Sequence, residues 1–266
     1  MNSVIKGASY VLAHTPDMVL YNGTTQTTER IVNPESEYLK EVPKHLRSYE
    51  DVVAYWPNQT YIGNAHPDQL AEIEFPYFDK KMEGAERYGK YGEIMPEEEF
   101  LLLVQACDMF EVVRLEKAFV AAHKDAFAAD PVITEDIVAL LHEGVEIDEI
   151  EALIKDDHAE PLYFEDKLVG CVKPAHDIDV NLSSHVMHEN LMSKASSVLA
   201  LLYGVKNAGI EKSDVEYVID CAEEACGDMN QRGGGNFAKA AAEIAGLSNA
   251  TGSDARGFCA APTHAL

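Results

Sequence analysis

With 266 residues, 47% of them hydrophobic, the chain has enough apolar material to bury the core of one large or two small domains. No stretch approaches the ~20 apolar residues of a membrane span, and the N-terminus MNSVIKGASY lacks the hydrophobic run of a signal peptide, so the expected location is cytoplasmic. An excess of 46 acidic over 21 basic residues, a formal charge of −25, repels phosphate backbones and anionic lipid; nucleic acid and membranes are excluded as expected partners.

In chain order, Ser3 to Leu12 reads as a strand, and a polar, turn-rich stretch follows through Asn64. From Pro96 the pattern turns helical. PEEEF supplies proline and acids for a first turn, and Phe100, Leu103, Val104, Cys107, Phe110, Val113 and Leu115 roughly follow one face. Thr134 to Leu141 and Asp148 to Ile154 predict short amphipathic helices, and Leu162 to Val172 a hairpin turning at Glu165 to Lys167. A long helix spans about Val186 to Asn207, with Met187, Leu191, Ala195, Val198, Leu199 and Leu202 on one face and Gly209 as its stop. A buried strand at Val215 to Cys221, a helix from Asn236 to Ala245 closed by Gly246, a polar strand near Asn249 to Arg256 and a helix entered at Cys259 complete an α-β-α-β-α order. Alternating strands and helices argue for a parallel sheet whose ligands bind at the carboxyl ends of its strands.

Cys259 is the candidate catalytic residue, in NATGSDARGFCAAPTHAL at the predicted strand-to-helix junction. A thiol there meets unpaired backbone N–H groups and the positive end of the helix dipole, which favour the thiolate. Gly257 permits a tight approach, Ala260 and Ala261 keep the mouth small, and Pro262 belongs in a first helical turn. Cys107, Cys171, Cys221 and Cys226 lack this setting and read as core thiols; irregular spacing and the absence of a CxxC pair argue for reduced cysteines. In that setting the Asn-X-Thr triplets at Asn22, Asn58 and Asn249 carry no glycosylation meaning.

Other motifs favour structure. Asp177, Asp179 and Asn181 imitate the start of a calcium loop, but Leu182 and His188 stand where glycine and a bidentate glutamate are required, so capping and solvated side chains are expected. Gly233-Gly234-Gly235 matches no nucleotide fingerprint and reads as an approach to a helix. GTTQTTER, Gly23 to Arg30, reads as a polar turn, and His264 as a packed or exposed histidine badly placed to serve Cys259 as a base. These residues call for neither a metal nor a cofactor.

NLMSKASSVLALLYGVKNAGIEKSDVEYVID, NFAKAAAEIAGL and ARGFCAAPTHAL together resemble the first half of the thiolase-like condensing enzymes, especially the ketoacyl-carrier-protein synthase III type. KGASYVLAHTPDMVLYNGTTQTTERIVNPESEYLKE, YEDVVAYWPNQTYIGN and GEIMPEEEF resemble one branch of that superfamily, the component C beta subunits of glycine/sarcosine/betaine reductase complexes, and this similarity extends over essentially the whole chain. The resemblance implies an α/β thiolase-like fold, with residues 1–13 and 176–266 forming the N-terminal half of its core and residues 14–175 a large, mostly helical insertion. It implies an anaerobic system in which a carboxymethyl group on a selenoprotein (protein A) becomes an acetyl thioester on component C and leaves with phosphate as acetyl phosphate. A component C alpha subunit and homo- or hetero-oligomeric assembly are implied as well. Cys259 is the one position carried over as nucleophile. Since the partner histidines or asparagine of the thiolase site would lie beyond Leu266, the chain is expected to be a fragment with little activity alone. A condensing synthase acting on carrier-protein or coenzyme A thioesters, and a non-catalytic assembly subunit, are the alternative readings.

Overall fold

Three small sheets are distributed among helices in the computed structural model, which describes residues 4–221 and 236–266. Cys226 and Gly233-Gly234-Gly235 lie outside the described residues. Strand β1 (Leu12–His14) leads into short helices α1 (Pro16–Asn22), α2 (Thr24–Val32), α3 (Glu37–His45), α4 (Tyr49–Val53), α5 (Trp56–Tyr61) and α6 (Pro67–Leu70). The chain then returns through β2 (Ile94–Pro96), which pairs in parallel with β1 in the register Leu12 to Ile94. The stretch read as polar turns is thus a series of short helices, none longer than nine residues. They are held by local devices, such as the Ser48 hydroxyl accepting from Asp51 N at 3.2 Å, and bury too few residues to generate a long apolar period.

Helix α7 (Glu97–Ala106) is the centre of the core. Leu101, Leu102, Leu103 and Val104 are all fully buried, and a helix apolar on every side must be enclosed on every side. It ends earlier than its periodicity suggested, because the Asp108 carboxylate accepts from Phe110 N at 3.0 Å and Val113 N at 2.7 Å and turns the chain into β3 (Val113–Leu115). Glu111 adopts the left-handed region at φ 55° in that turn, and Phe110, expected on the helix face, is exposed.

Next come α8 (Lys117–Ala128), which the sequence reading passed over, α9 (Glu135–Val138), α10 (Ile147–Asp156), and the hairpin of β4 (Glu160–Phe164) and β5 (Lys167–Val172). Strand β5 lies between β3 and β4, antiparallel to both. The hairpin turns through Glu165 and Asp166, both at positive φ, as the sequence anticipated within one residue.

Helix α11 (Ser184–Ala208) then packs against α7, β5 and the C-terminal segment, and stops at Gly209 in the left-handed conformation, φ 60°. Strand β6 (Tyr217–Asp220), helix α12 (Asn236–Ile244), strand β7 (Thr251–Asp254) and helix α13 (Ala261–Ala265) complete the fold. β6 and β7 are parallel, with Tyr217 opposite Thr251 and Asp220 opposite Asp254, which bears out the alternating order.

The mixed α/β character expected from sequence is present, but the N-terminal strand is displaced. Only Leu12–His14 is strand, and it joins β2 instead of β6 and β7. Residues 4–11 run along α11 instead. Ser9 Oγ donates to Ala200 O at 2.8 Å and Asn207 Nδ2 to Ala8 O at 2.9 Å, while a Cβ on Gly7 would stand 2.7 Å from Ala208 N. Small residues let this segment lie close against the helix, and Tyr10 N donates to Tyr91 O at 3.1 Å. Strand β6 also differs from the buried strand expected, since Tyr217 and Ile219 are exposed on one face. Among the described residues no helix is long and apolar enough to cross a membrane.

Candidate functional site

Parallel strands β6 and β7 finish side by side at Asp220 and Asp254, and the segment bearing Cys259 leaves from that carboxyl edge. Five hydrogen bonds fix the exit. Ala255 N donates to Asp220 O at 2.7 Å, and Arg256 Nη1 donates to Asp220 Oδ2 at 2.8 Å. Asp254 turns its carboxylate to the start of α12, accepting from Phe237 N at 3.2 Å and Ala238 N at 2.9 Å, and so caps that helix. Ala260 N donates to Gly257 O at 3.1 Å and closes the 3-10 turn Phe258–Ala260.

Cys259 lies within this 3-10 turn and is exposed. The expected geometry holds in outline and shifts in detail. Helix α13 begins at Ala261, two residues later than predicted, with Pro262 in its first turn; it is five residues long and only Ala261 is buried. His264 is exposed in the last turn of α13, one of the two outcomes expected for it.

The remaining cysteines separate by burial. Cys107 and Cys171 are buried, and burial pushes their thiols up to about 12 and about 11 respectively, which makes them inert packing groups as expected. Cys221 is half-buried at the end of β6, with its thiol raised chiefly by desolvation. It borders a groove of about 470 Å³ between α11 and β6, lined also by Ser9, Ala200, Gly204, Val218 and Phe237.

The histidine-rich stretch divides in two. His176 Nδ1 accepts from Ile178 N at 3.2 Å and Asp179 N at 3.0 Å, and Asp179 Oδ1 accepts from Asn181 N at 3.0 Å, so this part supplies the caps expected of it. His185 and His188, one turn apart on α11, are not solvated caps. Both approach Glu160 of β4, His185 Nδ1 at 3.1 Å from Oε1 and His188 Nδ1 at 3.2 Å from Oε2. Glu160 is held down at about 2: desolvation opposes ionisation, but the His185 and His188 hydrogen bonds outweigh it. The His185 imidazole is raised, first by its hydrogen bond to Glu160. The i, i+3 spacing of the histidines was visible in the sequence; Glu160, 25 residues upstream of His185, carried no signal. GTTQTTER forms most of α2 instead of a polar turn, and Arg30 donates to the carbonyls of Leu20 and Tyr21 at the end of α1. Among the described residues no group of three or more His, Cys, Asp or Glu is placed to hold a metal ion.

No family model and no solved structure matches the chain. It is 61% identical over 265 residues to the glycine/sarcosine/betaine reductase complex component C subunit beta of Peptoclostridium acidaminophilum, an alignment that takes in 99% of this chain and 52% of that protein. The chain therefore spans about half the length of the curated relative it matches. Identity of this order, sustained from one end of the chain to the other, makes the chain similar throughout to about half of that component C beta subunit.

Proposed function

We propose that the chain acts as a component C beta subunit, with Cys259 carrying an acetyl group as a thioester that phosphate releases as acetyl phosphate. The observation that carries this reading is the exposed Cys259 at the carboxyl edge of the parallel β6–β7 pair, in a chain whose relative is named for the same subunit. In open α/β sheets ligands bind in the crevice outside the carboxyl ends of the strands.

The chemistry needs a sulfur nucleophile that also leaves well. In one direction the thiolate attacks the carbonyl of acetyl phosphate and forms a C–S bond as the C–O bond to phosphate breaks; in the other a phosphate oxygen attacks the thioester, forms that C–O bond and returns the thiolate. Each tetrahedral intermediate places negative charge on the carbonyl oxygen, which suitably aimed N–H donors stabilise. An exposed thiol suits contact with a group carried by another protein; the selenoprotein of the complex is the proposed source of the two-carbon group, with the component C alpha subunit as assembly partner. A thiolase-like core remains part of this reading, supported by the α-β-α-β-α order from α11 to α13 and without the strand Leu12–His14, which joins β2.

Reconstituting the complex around full-length subunits with Cys259→Ser tests the assignment. Acetyl phosphate formation is expected to fall by a factor of at least ~10³, the scale of losing a covalent nucleophile, while assembly with the partner subunits is retained. Activity within twofold of wild type makes the subunit an assembly component.

A further inference from the structure

The most crowded charge cluster in the molecule lies far from Cys259 in sequence and takes no part in the acyl chemistry above. Arg87, in the loop before β2, faces three carboxylates: Glu93 from the same loop, Glu99 from α7, and Asp130 from the turn after α8. The Glu93 and Asp130 side chains are completely shielded from solvent, Glu99 is 5% exposed and Arg87 19%.

The hydrogens of the guanidinium do not suffice for these acceptors. Glu93 Oε2 takes Nε at 2.9 Å and Nη2 at 2.7 Å; Glu99 takes Nη1 at 2.6 Å through Oε1 and Nη2 at 2.7 Å through Oε2; Asp130 Oδ2 stands 3.2 Å from Nη2. Nη2 carries two hydrogens and has three carboxylate oxygens around it. Asp130 Oδ1 accepts from Val132 N at 3.0 Å, and the Tyr88 hydroxyl donates to Oδ2 only at 3.4 Å. Glu93 Oε1 is buried with no hydrogen-bond partner, and the Asp130 carboxyl lies within hydrogen-bonding reach of the Glu93 side chain. Two buried carboxyls in contact, one with an orphan oxygen and the other short of a donor, lack one hydrogen between them.

We propose that Glu93 keeps its proton in the native state at neutral pH and donates it to Asp130, making the Arg87 cluster a proton-dependent clamp that joins the loop before β2 to α7 and the end of α8. The proton supplies the missing donor and reduces the net charge of the cluster from double to single negative, which a dry interior tolerates far better. Burial, followed by the charge of Asp130, pushes the Glu93 carboxyl up to about 8, in spite of Arg87. The other titratable groups facing the cluster are Tyr49 of α4, Tyr88 of the loop and Tyr203 of α11, all raised, with desolvation first among the causes. They remain neutral across the range in which Glu93 titrates. The Tyr203 hydroxyl is itself buried without a partner.

A native carboxyl raised above its unfolded value of 4.5 gives stability that is complete below that pH and declines as the pH rises towards about 8. Denaturant unfolding of the full chain, wild type against Glu93→Gln, reads this directly. Glutamine keeps an oxygen for Arg87 and provides a permanent N–H for Asp130. The folding equilibrium constant of wild type relative to the variant is expected to drop by about tenfold per pH unit through the middle of that window and then level off. A ratio independent of pH from 5 to 9 overturns the proposal. If Glu93→Gln does not fold, infrared spectra of carboxyl-labelled glutamate in the Glu97→Gln background decide instead: a labelled protonated-carboxyl band at pH 7 that fades by pH 9 supports the retained proton, and its absence at pH 7 refutes it.

Discussion

The region around α7 and the region around β7 solve opposite problems. At α7 the chain encloses a helix whose residues 101–104 are fully buried, and Glu97 and Glu99 of that helix, with Glu93 and Asp130 beside it, are each used as a tie between elements. The two Glu97 oxygens accept from Asp17 N at 3.1 Å and Met18 N at 2.9 Å and so hold the start of α1, at the cost of a carboxyl that burial raises to about 8. At β7 the strand is polar and half-exposed, its only strand neighbour among the described residues is β6, and a five-residue helix follows. The difference teaches where rigidity and accessibility reside: charge is buried where elements must be locked together, and the exposed Cys259 is carried where little is buried.

Substitutions can break this contrast, and the largest stability losses belong to the α7 side. Arg87→Met leaves the buried carboxylates without their cation and should cost about 3–5 kcal/mol; Phe127→Ala, at a fully buried ring on α8, should cost a similar ~3–5 kcal/mol. Both are read from denaturant midpoints, and a loss below about 1 kcal/mol for either shows the region to be less tightly packed than described. A pH series sharpens the account at α11. Glu160, held at about 2 against an ordinary 4.5, contributes stability that is complete above the ordinary value and is lost as the pH falls through about 2. Glu160→Gln should therefore lag wild type above pH 5 and converge with it in acid, whereas a constant gap assigns the pairing with His185 and His188 no net value. Smaller again is Asp254→Ala, which uncaps α12 and should cost about 1 kcal/mol by thermal or denaturant unfolding. It should also change the rate at which Cys259 is alkylated, since Asp254 and Arg256 lie on the segment that presents it. The smallest effect is expected at Cys259 itself: Cys259→Ala removes an exposed side chain and should leave stability within about 0.5 kcal/mol of wild type.

Regular elements with their own punctuation were legible from sequence. Helix α11 announced itself by an apolar face and the Gly209 stop, the β4–β5 hairpin by its polar turn, and α12, β7 and the Cys259 turn by alternating order. The misreadings share a cause. The helix read through Leu115 stops at Ala106 because Asp108 collects two backbone N–H groups, a local side-chain choice invisible to periodicity. The N-terminal strand reduces to Leu12–His14 because Gly7, Ala8 and Ser9 are small enough to lie against α11. Helix α8 is rich in alanine, so its apolar face is carried by Phe119, Val120 and Phe127 alone, too few to stand out. Of the candidate site, Cys259 was readable from its local setting. The Glu160 pairing and the Arg87 cluster were not, since each joins residues from separate elements that only the fold brings together.

The claim that matters most is that Cys259 bears the acyl group. Mapping isotope-labelled acetyl by mass spectrometry on the intact reconstituted complex, after exposure to labelled acetyl phosphate, tests it without relying on turnover. The account predicts label on the Cys259 peptide that disappears in Cys259→Ala; label confined to a partner subunit, with Cys259 unmodified, contradicts it.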